Sequence, residues 1–256
     1  MVDIREAIFY EHRIDTAKPV PYHTQVYQAL EQIITTALQP GQQLPGEPKL
    51  CDLFGVSRTV IRHALDQLLR DGLIVRVMGK GTFVAEPKIN EGLIGRLTGF
   101  YEDMVAQGYT PVSKVLQQEL VQANAKVARN LNLPVGTDVI AIRRLRFVNG
   151  VPLQLVTTYM PYELCAALLR ADFTQQSLYA YLRQTCDLQI VSGTRRIEAV
   201  LATDEEARLL AISPGSPLIL IDSVSYLEDG TALEYYHAVH RSDRARFEVS
   251  LMRVRE

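Results

Sequence analysis

In the stretch LFGVSRTVIRHALDQLLRDGLI, residues 53–74, Gly55 separates two helical patterns, and that break narrows the possible folds more than any other feature. Glycine suits the left-handed residue that ends a helix. Ser57 then offers an N-cap for the next one, with Val56 and Ile61 at the two positions of a hydrophobic staple. Ile61, Leu65, Leu68 and Leu69 recur at helical spacing and predict one buried stripe. Arg58 and Arg62, four residues apart, project together from the opposite face. Upstream, Val26, Ala29, Leu30, Ile33, Ile34 and Ala37 predict a helix over 20–38, stopped at Pro40-Gly41. LPGEPKLCDLF begins a short helix in which Pro48 is tolerable because it lies in the first turn. Downstream, LIVRVMGKGTFVA reads as strand, glycine turn, strand. Residues 20–86 therefore predict one unit of three helices and a hairpin.

Helix, glycine turn, helix is the order in which a second helix enters the major groove of DNA, its first residues meeting base edges. An arginine fork pairs bidentately with guanine or clamps a phosphate. Ser57 and Thr59 suit either partner, and Lys80 stands at the hairpin tip between Gly79 and Gly81. The formal net charge is −2, so a role with nucleic acid needs locally concentrated charge. Residues 20–86 carry six bases and six acids, but residues 57–82 carry five bases against two acids. Taken alone, an arginine pair on a helix is a solvated face; the agreement of caps, turn, pair and hairpin favours DNA.

Residues 1–19 are polar and irregular and are expected to form a loose arm; 87–95 reads as a linker, and 96–256 as a second domain. That part is expected to be α+β with a largely antiparallel sheet. A helix is predicted over 99–107, a strand over 113–121, and helices over 124–132, 177–185 and 204–211. Two long hairpins turn at Asn149-Gly150 and Asp229-Gly230. Cys51, Cys165 and Cys186 are odd in number and widely spaced, which indicates neither a zinc site nor a disulfide framework. Free cysteines, no apolar run of membrane-spanning length and no signal-peptide pattern lead to the expectation of a cytoplasmic protein without a membrane partner.

VYQALEQIITTALQPGQQLPGEPKLCDLFGVSRTVIRHALDQLLRDGLIVRVMGKGTFV resembles the winged helix-turn-helix of the GntR family of bacterial transcription regulators. GVSRTVIRHAL and GKGTFV are its most specific parts. The resemblance implies operator contacts at Ser57, Arg58, Thr59, Arg62, Gly79 and Lys80, with Gly81 completing the wing. The family usually has LPSERELA where this chain has LPGEPKLC. Pro48 therefore replaces an arginine that touches DNA, and the contact is lost or passes to Lys49.

LTGFYEDMVAQGYTP, RRLRFVNGVPLQLVTTYMPYEL, SLYAYL and DGTALEYYHAVHRSDRARFEV resemble the UTRA domain of the HutC branch, whose fold is shared with chorismate lyase. This implies a homodimer on a palindromic double-stranded DNA operator, modulated by a small anionic effector; phosphorylated sugars recur in that branch. Arg144 and Arg146 share one face of a predicted strand, while Arg143 points the other way. Ser177 begins a predicted helix, and Arg96, Thr98 and Gly99 precede another, where free amides favour anions. Tyr179, Glu234 and Tyr159 complete the effector candidates, although Tyr159, Tyr162, Tyr235 and Tyr236 also fit a core or interface. Val156 stands where sugar-phosphate-binding relatives can carry a glutamate, which speaks against an amino-sugar phosphate.

Two alternatives stay open: an enzyme acting on an anionic metabolite, and a DNA-binding dimer that senses nothing. No nucleophile–base set appears, and His12, His23, His63, His237 and His240 show no metal or triad spacing. No catalytic residue, metal or cofactor is expected.

Overall fold

The computed structural model describes residues 8, 9, 12, 14–77, 79–92 and 97–249. They fall into two units that divide between Lys88 and Ile89.

The N-terminal unit holds α1 (Tyr22–Thr36), α2 (Glu47–Phe54), α3 (Arg58–Arg70) and the antiparallel hairpin β1 (Ile74–Val77) with β2 (Gly81–Val84). α1 buries Val26, Leu30, Ile33 and Ile34 against Ile61, Ala64, Leu65 and Leu68 of α3. Each large aliphatic side chain so buried contributes roughly 1.5–3 kcal/mol. Leu69, expected in the stripe, is 38% exposed; Ala64 takes the inward place. Gly55 caps α2 at φ 66°, in the left-handed region. Ser57 occupies the N-cap position of α3, but its hydroxyl makes no capping hydrogen bond. The expected loose arm is corrected at Phe9, which is buried edge-on against Phe54 with ring centroids 6.4 Å apart.

Residues 41–44 run beside β2, with the Gly41 and Leu44 amides donating to the Val84 and Thr82 carbonyls at 2.9 Å each. Gln43 Nε2 also donates to the Lys80 carbonyl at 2.9 Å, bracing the hairpin tip. Gly81 sits at φ +123°, and a Cβ there would lie 2.6 Å from Gln43 Nε2, so the brace and the backbone both require glycine.

The C-terminal unit is built on a six-stranded antiparallel sheet in the order β4-β5-β6-β9-β8-β7. Its strands are β4 (Pro111–Gln122), β5 (Asp138–Val148), β6 (Val151–Pro161), β7 (Ser192–Leu201), β8 (Pro217–Tyr226) and β9 (Ala232–Arg241). Asn149 and Gly150, both at positive φ, make the tight turn between β5 and β6. One face packs on α5 (Ala125–Leu131) and α7 (Asp204–Leu210) through Val139, Leu145, Leu155, Tyr235 and Val239. The other face packs on α6 (Leu178–Thr185) and the 3-10 turns Tyr162–Leu164 and Ala166–Arg170 through Ile140, Ile142, Met160 and Leu233. α4 (Phe100–Ala106) joins a small cluster of its own with Ile89, Val148, Leu153 and Ala245.

Residues 89–91, read as linker on sequence, form β3 (Ile89–Glu91), which pairs in parallel with β10 (Ala245–Phe247). Cys165 and Cys186, read as free thiols, are joined as a disulfide with Cα atoms 5.8 Å apart; Cys51 is free. The reason lies in tertiary packing: Cys165 opens a 3-10 turn and Cys186 caps the end of α6, and both elements lie on the same sheet face. Among the described residues, no helix is long and apolar enough to cross a membrane, and no His/Cys/Asp/Glu group has the geometry to hold a metal ion.

Candidate functional site

Two sites emerge, one in each unit. In the first, every sequence candidate lies at the surface: Lys49, Ser57, Arg58, Thr59, Arg62, Gly79, Lys80 and Gly81 are all exposed. The first turn of α3 contributes no acid of its own, which suits a phosphate at the positive end of the helix. Arg58 Nε donates to Glu47 Oε2 at 2.8 Å, and Arg76 pairs with Asp66 at 2.9 Å, tying the hairpin to α3. Pro48 lies in the first turn of α2, next to Glu47, with its ring exposed. The N-terminal half of α3 and the braced hairpin tip thus present cations and hydroxyls outward from a rigid apolar core.

The second site is a narrow pocket open to solvent. Its walls bring together Thr98, Gly99, Arg144, Arg146, Ser177, Tyr179 and Glu234, all expected from sequence. Arg96 lies outside the described residues. Tyr159 does not belong here and is corrected. Leu153 is an extra residue in β6, because Phe147 pairs with Pro152 while Arg146 pairs with Gln154. That bulge turns Gln154, Val156 and Thr158 toward the pocket face and sends Tyr159 to the other, where it stacks on Tyr235 at 5.9 Å. Arg143 shares that far face and pairs with Glu205 at 2.8 Å.

Sequence reasoning missed Tyr236, Arg195, Ser113 and Ser223, which also line the pocket. Tyr236 follows Glu234 by two on one strand, so alternation could have found it. Arg195 lies on β7, a strand that gave no periodic signal.

The electrostatics of the pocket are unbalanced. Arg144 and Arg146 are only 1% and 7% exposed, yet among the described residues neither forms an ion pair with a carboxylate. Arg144 donates to Thr158 Oγ1 at 3.3 Å and its Nε is buried without a partner; Arg146 donates to Gln154 Oε1 at 3.4 Å. Their guanidinium groups lie over rings instead, Arg144 over Phe173 at 5.6 Å and Arg146 over Phe100 at 4.8 Å. Burial, with Arg146 as a like charge beside it, pulls Arg144 well below the ordinary arginine pKa. A guanidinium nevertheless stays protonated at neutral pH, and the nearby carboxylates, Glu234 for both arginines and Glu91 for Arg146, offset only part of the cost of burying it.

Across the pocket, Glu234 Oε2 accepts from Tyr179 Oη at 2.6 Å and from Ser225 Oγ at 3.1 Å. Burial and that carboxylate push the Tyr179 phenol well above its ordinary pKa, which makes it a donor at neutral pH. Ser177 caps α6 by accepting from the Ala180 amide at 3.0 Å, while Thr98 Oγ1 is buried without a partner. A Cβ on Gly99 would come within 3.5 Å of Ser177 Oγ and within 3.4 Å of the Tyr179 ring, which keeps this corner closely packed.

Residues 23–84 match the family described as bacterial regulatory proteins, gntR family, and residues 106–246 match the UTRA domain. The HTH-type transcriptional repressor NagR of Bacillus subtilis (strain 168) is 35% identical over 91% of this chain and 96% of its own length. The histidine utilization repressor of Pseudomonas putida is 36% identical over 79% of this chain and 81% of its own. The crystal structure of PhnF from Mycobacterium smegmatis superposes with a TM-score of 0.64 at 29% identity, covering 89% of this chain and 99% of that one.

Proposed function

The chain belongs to the gntR family of bacterial regulatory proteins, in the branch carrying a UTRA domain, and on that premise we propose that it is a repressor released from its operator by a small anion. Two of its relatives are themselves named repressors. Arg58, Arg62, Ser57, Thr59 and the hairpin residues Gly79, Lys80 and Gly81 read the operator, and Lys49 reaches the backbone beside Pro48. Association should weaken steeply with salt as phosphate counterions are released.

One observation supports the anion above all: two buried guanidinium groups stand side by side without a carboxylate partner. Leaving such charge uncompensated is costly, and an anionic ligand removes the cost. A phosphate or carboxylate between Arg144, Arg146 and Thr98 would leave its hydroxyl-bearing end facing Glu234 and Tyr179. Val156, apolar and fully buried, offers no acid to an amino group, which disfavours an amino-sugar phosphate.

The test is a melting screen of the full chain against inorganic phosphate, phosphosugars and small carboxylates, paired with retardation of duplex DNA selected by the protein. Stabilisation with release of that DNA is expected. Stabilisation accompanied by turnover would make the protein an enzyme, and no stabilising anion at all would leave a DNA-binding dimer without an effector.

The protein works as a homodimer on a palindrome, since two-fold symmetry in the protein mirrors that of the site. Strand β7 supports this reading: it is an edge of the sheet, exposed along nearly its whole length, with Ile197 45% and Leu201 71% exposed. An edge of this kind pairs readily with another chain. Ile197→Lys is therefore expected to shift sedimentation from dimer to monomer at micromolar concentration while the melting cooperativity of each unit persists. An unchanged dimer would place the interface elsewhere.

A further inference from the structure

Behind the pocket lies a fully buried polar network that the effector reading does not use. Glu91 and His240 are both 0% exposed, and His240 Nδ1 sits 2.9 Å from Glu91 Oε1. Gln154, also 0% exposed, donates from Nε2 to Glu91 Oε2 at 3.2 Å and accepts from the pocket residues Arg146 at 3.4 Å and Tyr236 at 2.9 Å. Tyr236 Oη closes the ring at 3.2 Å from His240 Nε2. The whole circuit from Arg146 to Glu91 needs a single intervening side chain.

A second route leaves the same arginine. The Arg146 guanidinium rests on Phe100 of α4, and Asp103, one turn further along α4, accepts from the Gly92 amide at 2.8 Å. Gln107, just past the end of that helix, donates from Nε2 to the Asn90 carbonyl at 2.8 Å. Both routes therefore end on residues 90–92. Asn90 and Glu91 lie in β3 and Gly92 follows it; β3 is the first strand of the C-terminal unit, and its first residue, Ile89, directly follows the last residue of the N-terminal one.

We propose that Glu91 is a positioning residue that passes occupancy of the Arg144–Arg146 pocket to strand β3, and hence to the chain leading to the DNA-binding unit. An anion drawn to Arg146 competes with Gln154 Oε1 for the guanidinium. Gln154, its Oε1 then held by Tyr236 alone, tightens its Nε2 donation to Glu91 Oε2, and its orientation, with that of His240, is read out in how firmly β3 is held. A buried network of this kind is sensitive to such a change, because each polar group left unmet in it is costly. Glu91 itself lines no part of the pocket and touches no ligand. The inference rests on the reading of that pocket as an effector site.

The test follows amide hydrogen exchange of the full chain in the peptide covering residues 89–92, with and without saturating inorganic phosphate, and measures phosphate binding by calorimetry in the same samples. In the wild type, phosphate is expected to change exchange at 89–92 by about tenfold, matching a coupling energy of roughly 1.4 kcal/mol. Glu91→Gln keeps the shape of the side chain and is expected to lose most of that change while its phosphate affinity falls by about fivefold or less. A purely structural role would loosen 89–92 equally in both states and leave the phosphate-induced change intact, which overturns the proposal. Phosphate binding to the wild type without any change at 89–92 also overturns it and spares the effector reading. Phosphate that fails to bind, or that binds Arg144→Met equally well, overturns the effector reading and the proposal with it. Should Glu91→Gln not fold, Asp103→Asn interrupts the parallel route and is read in the same way, a partial loss being expected and a full response contradicting it.

Discussion

Arg62→Ala is expected to weaken binding to the selected operator by about 5- to 150-fold, the equivalent of the roughly 1–3 kcal/mol carried by a bidentate arginine–guanine pair. Arg62 is exposed on the first turns of α3 and forms no ion pair with a carboxylate among the described residues, so its removal leaves the fold untouched. Binding to unrelated duplex DNA should change far less. Retardation assays on both DNAs at one salt concentration separate a base contact from a phosphate contact. A uniform loss on every sequence, with the salt slope reduced by about one, would mark Arg62 as a phosphate clamp. Unchanged retardation of the operator by both Arg62→Ala and Arg58→Ala would remove α3 as the reading head. With Pro48 in the position of one customary arginine, these two residues are expected to carry the larger share of specificity.

The second large effect is expected at Arg144→Met, and it has two opposite signs. The affinity of whichever anion releases the operator should fall about a hundredfold or more, as truncation of a buried charged contact does. The ligand-free protein should at the same time become more stable. Arg144 is 1% exposed, lacks a carboxylate partner and has an unsatisfied Nε, so a methionine of similar length removes an uncompensated charge from the interior. A gain of about 1–4 kcal/mol is of the order seen when buried ions give way to apolar groups, and raises the melting temperature by about 2–4 °C per kcal/mol. Calorimetric melting and anion titration of one sample test both signs. A variant that is less stable and still released by the anion would show that Arg144 serves the fold instead of the ligand.

The N-terminal unit was legible because its determinants are local. A glycine at φ 66°, a capping position and a leucine stripe all act within a few residues; against the pattern, Leu69 and Ala37 are exposed, Phe9 is buried, and the Ser57 hydroxyl makes no capping bond. In the C-terminal unit, the facing of Arg144 and Arg146 followed from strand alternation alone. Tyr159 shows where that rule stops. Counting back from the Asn149-Gly150 turn would set it opposite Ile140, on the pocket face; the extra residue at Leu153 sets it opposite Ala141 instead. A bulge is a one-residue event that periodicity does not announce. β3 and β10 were invisible for another reason. Each is three residues long, and they pair across most of the second domain, so no window of sequence contains both. β7 lacked alternation because both of its faces are exposed. Cys165 and Cys186 meet only once the helical layer between them is in place.

The 2.8 Å contact between Arg58 and Glu47 bears on how such a protein would travel along a genome. A reading arginine that already holds a carboxylate gains little from an isolated phosphate, which offers one more anion in exchange for another. A guanine edge displaying two acceptors in the major groove offers a fork for a fork. The Arg58 side chain is 69% exposed, so the pair is weak and the threshold it sets is low. That is small enough to cross at the right sequence and large enough to shorten each pause at a wrong one. On the operator reading proposed above, Glu47 would act as a decoy carried on the protein's own surface, holding the otherwise exposed Arg58 during the search and giving it up on arrival.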